Sequence, residues 1–355
     1  MRLVQDCLSL VLVVTAFVFG SAVAGGKVET FTFEGIHSIN IETVSGNITI
    51  TPGKTDKLTV ELINDLDDPE QLDPELEADE GELSIEENFT GRHVRGKTHW
   101  TVYLPKSGEL RLIECSTASG DILFEGFEVD FIETESASGE VSINSLTAKE
   151  LELSTASGAI MLEDSKADFV EANTASGRIS ASSVRAKEID FSTASGKIEV
   201  EDCDAKIMET STASGKISVG SVTAEELELS TASGRIIVEE CDVEVLTEAS
   251  CASGDVEIYL SRLPSKRLEA SSASGDVDLE VPQFGDNFTM TLTKRADRGR
   301  VKCPFEYTEK ETLRLHKHDK YLTDRYLVQR GEGGPEIELS TASGTIRVKT
   351  QTKGK

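Results

Sequence analysis

Apolar and polar residues alternate in short runs on both sides of a recurring glycine. Counted from that glycine, apolar residues stand at positions −7, −5, +2 and +4, as in Leu151, Leu153, Ile160 and Leu162 around Gly158. The residues between them are mostly polar. Alternation with a period of two is typical of strands that bury one face. The parity of the apolar positions changes between −5 and +2, which predicts a corner at the Ala-Ser-Gly sequence between the two strands.

The glycine recurs at a fixed distance along most of the chain. Helical repeats are usually longer than this one, and the leucine-rich frame is absent. Two short strands and two turns in each unit instead predict one coil of a parallel β-solenoid. The intervals are 19 residues six times in succession, then 20 and 21, through Gly120, Gly139, Gly158, Gly177, Gly196, Gly215, Gly234, Gly254 and Gly275, with outlying copies at Gly46 and Gly344.

Like positions of stacked coils lie above one another at a spacing of about 4.8 Å. Position +2 then forms a core column of Ile and Val, and position −2 is alanine in every regular coil. Position +7 places Cys203 and Cys241 two coils apart, roughly 9–10 Å, which is too far for a disulfide. We therefore expect both thiols to be buried and unpaired.

The N-terminal residues 1–24 have the features of a secretory signal peptide. Arg2 precedes an apolar run from Leu8 to Phe19, and Ala22-Val23-Ala24 provides small residues for cleavage. The alternative, an uncleaved anchor helix, needs about 20 apolar residues. After cleavage five of the six cysteines remain, so at least one is free or pairs between chains. The sequence predicts an exported protein without a membrane-spanning segment.

The regular coils divide the remaining chain into three parts. Residues 25–109 are expected to form strands and an acidic loop, at 64–82, that cap the solenoid. Residues 110–281 form the regular solenoid, and residues 282–355 form an irregular segment followed by a final coil. Trp100 and Phe305 are the expected apolar anchors of the two flanks.

Several segments resemble a bacterial family, the adhesin-like β-helix domain of unknown function. The matching segments are IETVSGNITITPG from Ile41, VYLPKSGELRLIECSTASGDI from Val102, the repeated Ser-Gly turns, and GEGGPEIELSTASGTI from Gly331. The resemblance covers roughly residues 28–350. It implies an extracytoplasmic right-handed β-helix with no established catalytic residues. The complete prediction is an all-β, single-stranded parallel β-solenoid of 19-residue coils with irregular capping segments.

Charge excludes two classes of partner. The chain has 36 Lys and Arg against 64 Asp and Glu, a net charge of −28. A nucleic-acid binder needs a basic surface, and so does a protein held to anionic lipid by charge alone. We expect a surface glycan or an envelope protein as the partner, with divalent cations as a further ligand, and no nucleic acid.

Position −6 carries the clearest candidate site because it is acidic in every coil. In stacked coils these carboxylates form an outward file in which neighbours repel, and cations would relieve the repulsion. The alternative is a solvated face that prevents aggregation. The file consists of Glu114, Glu133, Glu152, Glu171, Asp190, Glu209, Glu228, Glu248, Glu269 and Glu338.

Two weaker candidates accompany this file. At position +1, Arg178, Lys197, Lys216 and Arg235 form a basic stripe that either binds an acidic glycan or pairs locally with carboxylates. His316 and His318 lie two residues apart in a pattern that suits metal ligation, but no third ligand is fixed by spacing. The sequence indicates no cofactor and no catalytic constellation.

The sequence therefore favours an exported, non-enzymatic structural or adhesin-like protein of the cell envelope or exterior. The alternative is a polysaccharide lyase or hydrolase on a β-helix scaffold. Such an enzyme needs a cleft with paired carboxylates, or calcium with a base. Residues 120–234 leave no spare length between coils for such a cleft.

Overall fold

The computed structural model describes residues 22–23, 26–91, 93–107, 110–314 and 321–350. Most of the predicted signal segment, together with His316 and His318, lies outside these ranges. The described chain is all-β apart from one 3₁₀ turn at Pro69–Gln71. The prediction of an all-β solenoid repeat is confirmed.

Eight strands precede the regular coils. They are β1 (Ala22–Val23), β2 (Gly26–Phe33), β3 (Ser38–Thr43), β4 (Asn47–Pro52), β5 (Leu58–Leu66), β6 (Leu72–Asp79), β7 (Glu82–Phe89) and β8 (Gly96–Leu104).

The regular region alternates longer and shorter strands, except that the 16-residue strand Ile236–Cys251 joins one of each. They are β9 (Leu112–Thr117), β10 (Ile122–Glu125), β11 (Phe131–Ser136), β12 (Val141–Asn144), β13 (Glu150–Thr155), β14 (Ile160–Glu163), β15 (Phe169–Thr174), β16 (Ile179–Ser182), β17 (Glu188–Thr193), β18 (Ile198–Glu201), β19 (Asp204–Thr212), β20 (Ile217–Gly220), β21 (Thr223–Thr231), β22 (Ile236–Cys251), β23 (Val256–Leu260), β24 (Arg267–Ser272) and β25 (Val277–Val281).

Six strands follow them. They are β26 (Phe288–Arg295), β27 (Arg300–Lys302), β28 (Glu309–Leu313), β29 (Thr323–Arg330), β30 (Glu336–Thr341) and β31 (Thr345–Thr350).

Parallel pairing between successive coils builds two facing sheets. The strands before the Ala-Ser-Gly corner form sheet B, in which Leu151 lies opposite Ile132 and Val170. The strands after the corner form sheet A, in which Ile160 lies opposite Val141 and Ile179. All six side chains are at most 1% exposed, so the apolar columns form the core between the sheets.

The two flanks extend both sheets at their ends. Sheet A continues beyond β10 through β4, β8, β5 and β2, and sheet B continues beyond β9 through β3, β7 and β6. At the other end β31 pairs with β27, while β30 is followed by β26, β29 and β28. Trp100 is fully buried, and the half-buried Phe305 packs 5.0 Å from Phe284 between ring centroids.

The prediction of an acidic loop at residues 64–82 is wrong in part. Its second half is strand β6, antiparallel to β7. Leu72, Leu76 and Ala78 pack partly buried against the core, whereas the acidic residues between them are more exposed. The alternation was thus present in the sequence, but the density of charge and the two prolines obscured it.

Candidate functional site

The carboxylates predicted at position −6 lie side by side across sheet B. Glu133 stands opposite Glu114 and Glu152, and the in-register pairing continues without interruption to Glu269 and Glu338. The file ranges from half-buried to exposed because each carboxylate alternates with core side chains on its strand. We call this set the carboxylate file.

Burial and repulsion by like charges raise the pKa of three carboxylates of the file, those of Glu152, Asp190 and Glu228. Partial burial raises the pKa of Glu152, and the nearby Glu150, Glu133 and Glu171 raise it further. Burial likewise raises the pKa of Asp190, with smaller contributions from like-charged neighbours. Like charges disfavour one another's ionised form, which is the direction of these shifts.

A cation of the chain itself neutralises one end of the carboxylate file. Arg267 on β24 forms ion pairs with Glu269 at 2.5 Å and with Glu338 at 3.3 Å. Glu152, Asp190 and Glu228 in the middle of the file form no ion pair with a described residue. Within the described residues no group of three or more His, Cys, Asp or Glu side chains is arranged to hold a metal ion.

An open groove follows the Ala-Ser-Gly corner beside the carboxylate file. It consists of two adjoining stretches of about 1190 and 1020 Å³ that share Ser192 and Ala194. In the regular coils positions −4, −3 and −2 line it, mostly as Ser, Thr and Ala, with Glu135, Asn173 and Cys251 as the departures. Glu42 and Glu86 lie at one end of the groove, and Arg295 and Tyr321 lie at the other.

The threonine of the repeated motif holds the corner together. The Gly177 N–H donates to Thr174 Oγ1 at 2.9 Å, and that hydroxyl donates to the Gly158 carbonyl oxygen of the preceding coil at 3.4 Å. A Cβ added at Gly177 would lie 1.7 Å from the same carbonyl oxygen. The motif is therefore a structural device that lets neighbouring corners stack closely.

Each end of this corner stack is closed by a buried charged side chain. In the first coil the corner N–H groups of Val44, Ser45 and Gly46 donate to the Glu87 carboxylate at 2.8, 2.9 and 3.1 Å. In the last coil Lys294 donates to the carbonyl oxygens of Arg295 and Ala296 at 3.0 and 3.4 Å. Parallel stacking leaves N–H groups free at one end and carbonyls at the other, so these opposite charges match the ends.

Lys294 is held in place by a carboxylate. Its ammonium lies 2.8 Å from Asp324, and both side chains are largely buried. The hydrogen bond from Lys294, followed by the one from Thr312, lowers the pKa of Asp324. Neither Glu87 nor Lys294 was identified from the sequence as a capping residue, because the pairing of the flanks has no repeat to reveal it.

Three of the four residues of the basic stripe at position +1, all but Lys216, form local ion pairs. Arg178 lies 3.6 Å from Glu199, which also pairs with Lys197, and Arg235 lies 3.3 Å from Asp255. These exposed pairs fit the local-pairing interpretation better than a site reserved for an acidic glycan.

The five described cysteines are free, as expected for Cys203 and Cys241. Four of them are buried, and Cys303 is half-buried. Burial raises the pKa of both Cys203 and Cys241 to about 11, so neither thiol is ionised at neutral pH.

A family model matches the chain twice, over residues 36–184 and 167–349, and is described as Toastrack DUF4097. The chain belongs to the Toastrack DUF4097 family. The two matches together span nearly the whole solenoid, and the resemblance to an adhesin-like family of unknown function is confirmed.

Solved structures similar to this Toastrack chain include proteins of Parabacteroides and Bacteroides. A "putative lipid binding protein" from Parabacteroides distasonis ATCC 8503 is 21% identical, with 65% of this chain and 95% of that chain covered and a TM-score of 0.48. A "putative adhesin" from Bacteroides fragilis NCTC 9343 is 19% identical, with coverages of 63% and 97% and a TM-score of 0.43.

Another "putative adhesin" from Parabacteroides distasonis ATCC 8503 is 19% identical, with coverages of 72% and 91% and a TM-score of 0.41. No curated protein matches the chain. The family assignment rests on the family match, and the fold on the chain's own strand pairings. No helix among the described residues is long and apolar enough to cross a membrane.

Proposed function

We propose that this chain is an exported, non-enzymatic β-solenoid that serves the bacterial cell envelope or exterior as an adhesin-like or structural binding module. On this proposal the solenoid is a right-handed β-helix with 19-residue coils. The observation that carries the proposal is the carboxylate file, which presents like charges in register across the consecutive strands of one sheet beside a continuous groove.

A periodic charged face suits a ligand that is itself repetitive. Two carboxylates about 4.8 Å apart repel by roughly 0.9 kcal/mol in water, and by more near a protein surface. Divalent cations relieve this repulsion and can bridge to the acidic groups of a surface glycan. Because each coil offers the same contact, weak individual interactions add along the rod.

The test is retention of the secreted chain on immobilised acidic and neutral glycans, with and without Ca²⁺, together with an assay for released reducing ends. We expect Ca²⁺-dependent retention without release of sugar. The triple variant E152Q/E171Q/D190N removes the centre of the carboxylate file and should weaken retention by about tenfold or more.

A matched variant separates the file from net charge. E125Q/E163Q/E201Q removes three exposed carboxylates from the outer face of sheet A, and it should retain binding. Equal loss in both variants would show that only net charge matters. Release of reducing ends would instead favour the polysaccharide lyase or hydrolase.

A further inference from the structure

The two sheets have four edges, and three of them carry features that discourage strand addition. On sheet B, β6 presents acidic residues and Pro74. At the opposite end β28 has the sequence Glu-Lys-Glu-Thr-Leu, with three charges in five residues. On sheet A, β27 is only three residues long and two of them are charged. Charge, proline and short length are the means by which proteins protect exposed edges.

The fourth edge, β2, carries charge only in its first half, where Lys27 and Glu29 pair with each other. It is eight residues long, with the sequence Gly-Lys-Val-Glu-Thr-Phe-Thr-Phe, and contains no proline. Its last four residues, Thr30–Phe33, carry no charge and have high strand propensity. Strand β5 pairs with one side of β2 from Lys27 to Phe33. On the other side, within the described residues, only Ala22–Val23 pairs, opposite Gly26 and Lys27.

That short pairing indicates how a further strand would lie. Ala22–Val23 runs antiparallel to β2, as β5 does on the opposite side. Beyond this pairing, the same side of β2 from Val28 to Phe33 has no partner strand among the described residues. An extended segment placed there would make antiparallel main-chain hydrogen bonds, which is the usual mode of β-strand addition.

The core is incompletely covered at the same end of the rod. Phe31 on β2 and Leu72, Leu76 and Ala78 on β6 are only partly buried. Facing sheets lie about 10 Å apart, so the inward side chains of a strand added to β2 reach the space between these residues. An apolar residue at every second position of the added strand would cover them.

The charge of the surrounding surface indicates which side chains the outward face of the added strand should carry. The described residues 26–91 and 93–107 contain six Lys and Arg against seventeen Asp and Glu, a net charge of −11. A second copy that met it through the same end would bring the same acidic residues against it, including the carboxylates of β6. A cationic segment complements this surface, and such a pairing of like ends does not.

We propose that the N-terminal end of the solenoid docks an extended, cationic peptide segment of another protein, added antiparallel to β2, with apolar residues facing inward and basic residues facing outward. The site lies at the end of the rod rather than along the carboxylate file. Its test therefore succeeds or fails independently of the glycan-retention experiment.

The probe is a blocked ten-residue peptide that alternates valine with lysine, added to the secreted chain. Titration calorimetry measures its affinity, and hydrogen–deuterium exchange locates it. We expect binding together with new protection confined to β2. The same peptide with a central proline should bind at least about tenfold more weakly, because proline cannot complete the ladder. A valine–glutamate peptide should also bind more weakly.

Two protein variants complete the test. T32K places a charge on the exposed edge strand and should weaken peptide binding about tenfold. S176K places the same charge on an exposed corner of the shaft and should leave binding unchanged. Circular dichroism checks that T32K is folded. Equal binding of the proline peptide, protection outside β2, or equal affinity in T32K and S176K would each overturn the proposal.

Discussion

Replacing Thr174 with valine tests how the corner stack is held together. The side chain is 6% exposed, accepts the Gly177 N–H at 2.9 Å and donates to the Gly158 carbonyl oxygen at 3.4 Å. Valine keeps the shape but removes the hydroxyl. The Gly177 N–H then loses its partner in a position that is closed to solvent, because its residue is buried under the neighbouring corner.

Leaving one buried donor unsatisfied costs about 1–3 kcal/mol, and the long bond to Gly158 contributes less. We therefore expect T174V to lower the free energy of unfolding in urea by that amount and to speed hydrogen exchange of the Gly177 amide. T174S keeps the hydroxyl and is the matched control, since Ser136 and Ser272 occupy the same position in other coils and bond Gly139 and Gly275 in the same way. If T174V were as stable as T174S, the hydroxyl would not hold the corner.

Four further outcomes are expected. E152Q should raise stability at neutral pH by at most about 0.5 kcal/mol at low ionic strength, because the side chain is exposed and solvent screens its charge. Burial first and like charges second raise the pKa of Glu152, so the penalty is absent below the unfolded-state value of 4.5, grows between that value and the raised folded-state value, and is complete above it; the variant removes it. E87Q should lower the thermal midpoint, since it removes the charge that accepts three corner N–H groups and so costs about 1–3 kcal/mol. Cys203 and Cys241 should react with a thiol reagent only after denaturation, and a disulfide between them would contradict the coil register. A truncated chain of residues 110–281 should associate, because it exposes both ends of each sheet; a stable monomer would show that the flanks are not caps.

The regular coils could be predicted because each carries the same information. The fixed spacing and the two-residue alternation place Ile160, Ile179 and Ile198 in one column, and the structure pairs them in register. The carboxylate file follows from the same spacing. Repetition turns a weak local pattern into a strong one, since every coil must stack on the next.

The rest could not be predicted because it occurs once or depends on backbone conformation. Glu87 and Lys294 cap the corner stack from segments without a repeat. The backbone conformation of the second turn in each regular coil also could not be predicted. In that turn, position +6 has a left-handed backbone with φ between 48° and 57° in six coils, at Ser145, Asp164, Ser183, Asp202, Ser221 and Glu240. Short polar residues tolerate that conformation better than most, but serine and aspartate are common enough in loops to give no distinct signal.

The most direct test of the central claim measures retention and cleavage of glycans in one experiment. The purified chain is applied to an immobilised acidic polysaccharide with Ca²⁺, and both bound protein and released reducing ends are followed over time. The account predicts that protein stays bound, that EDTA elutes it, and that no reducing ends appear. Release of reducing ends that grows with protein concentration, or an absence of retention that Ca²⁺ does not change, would contradict it.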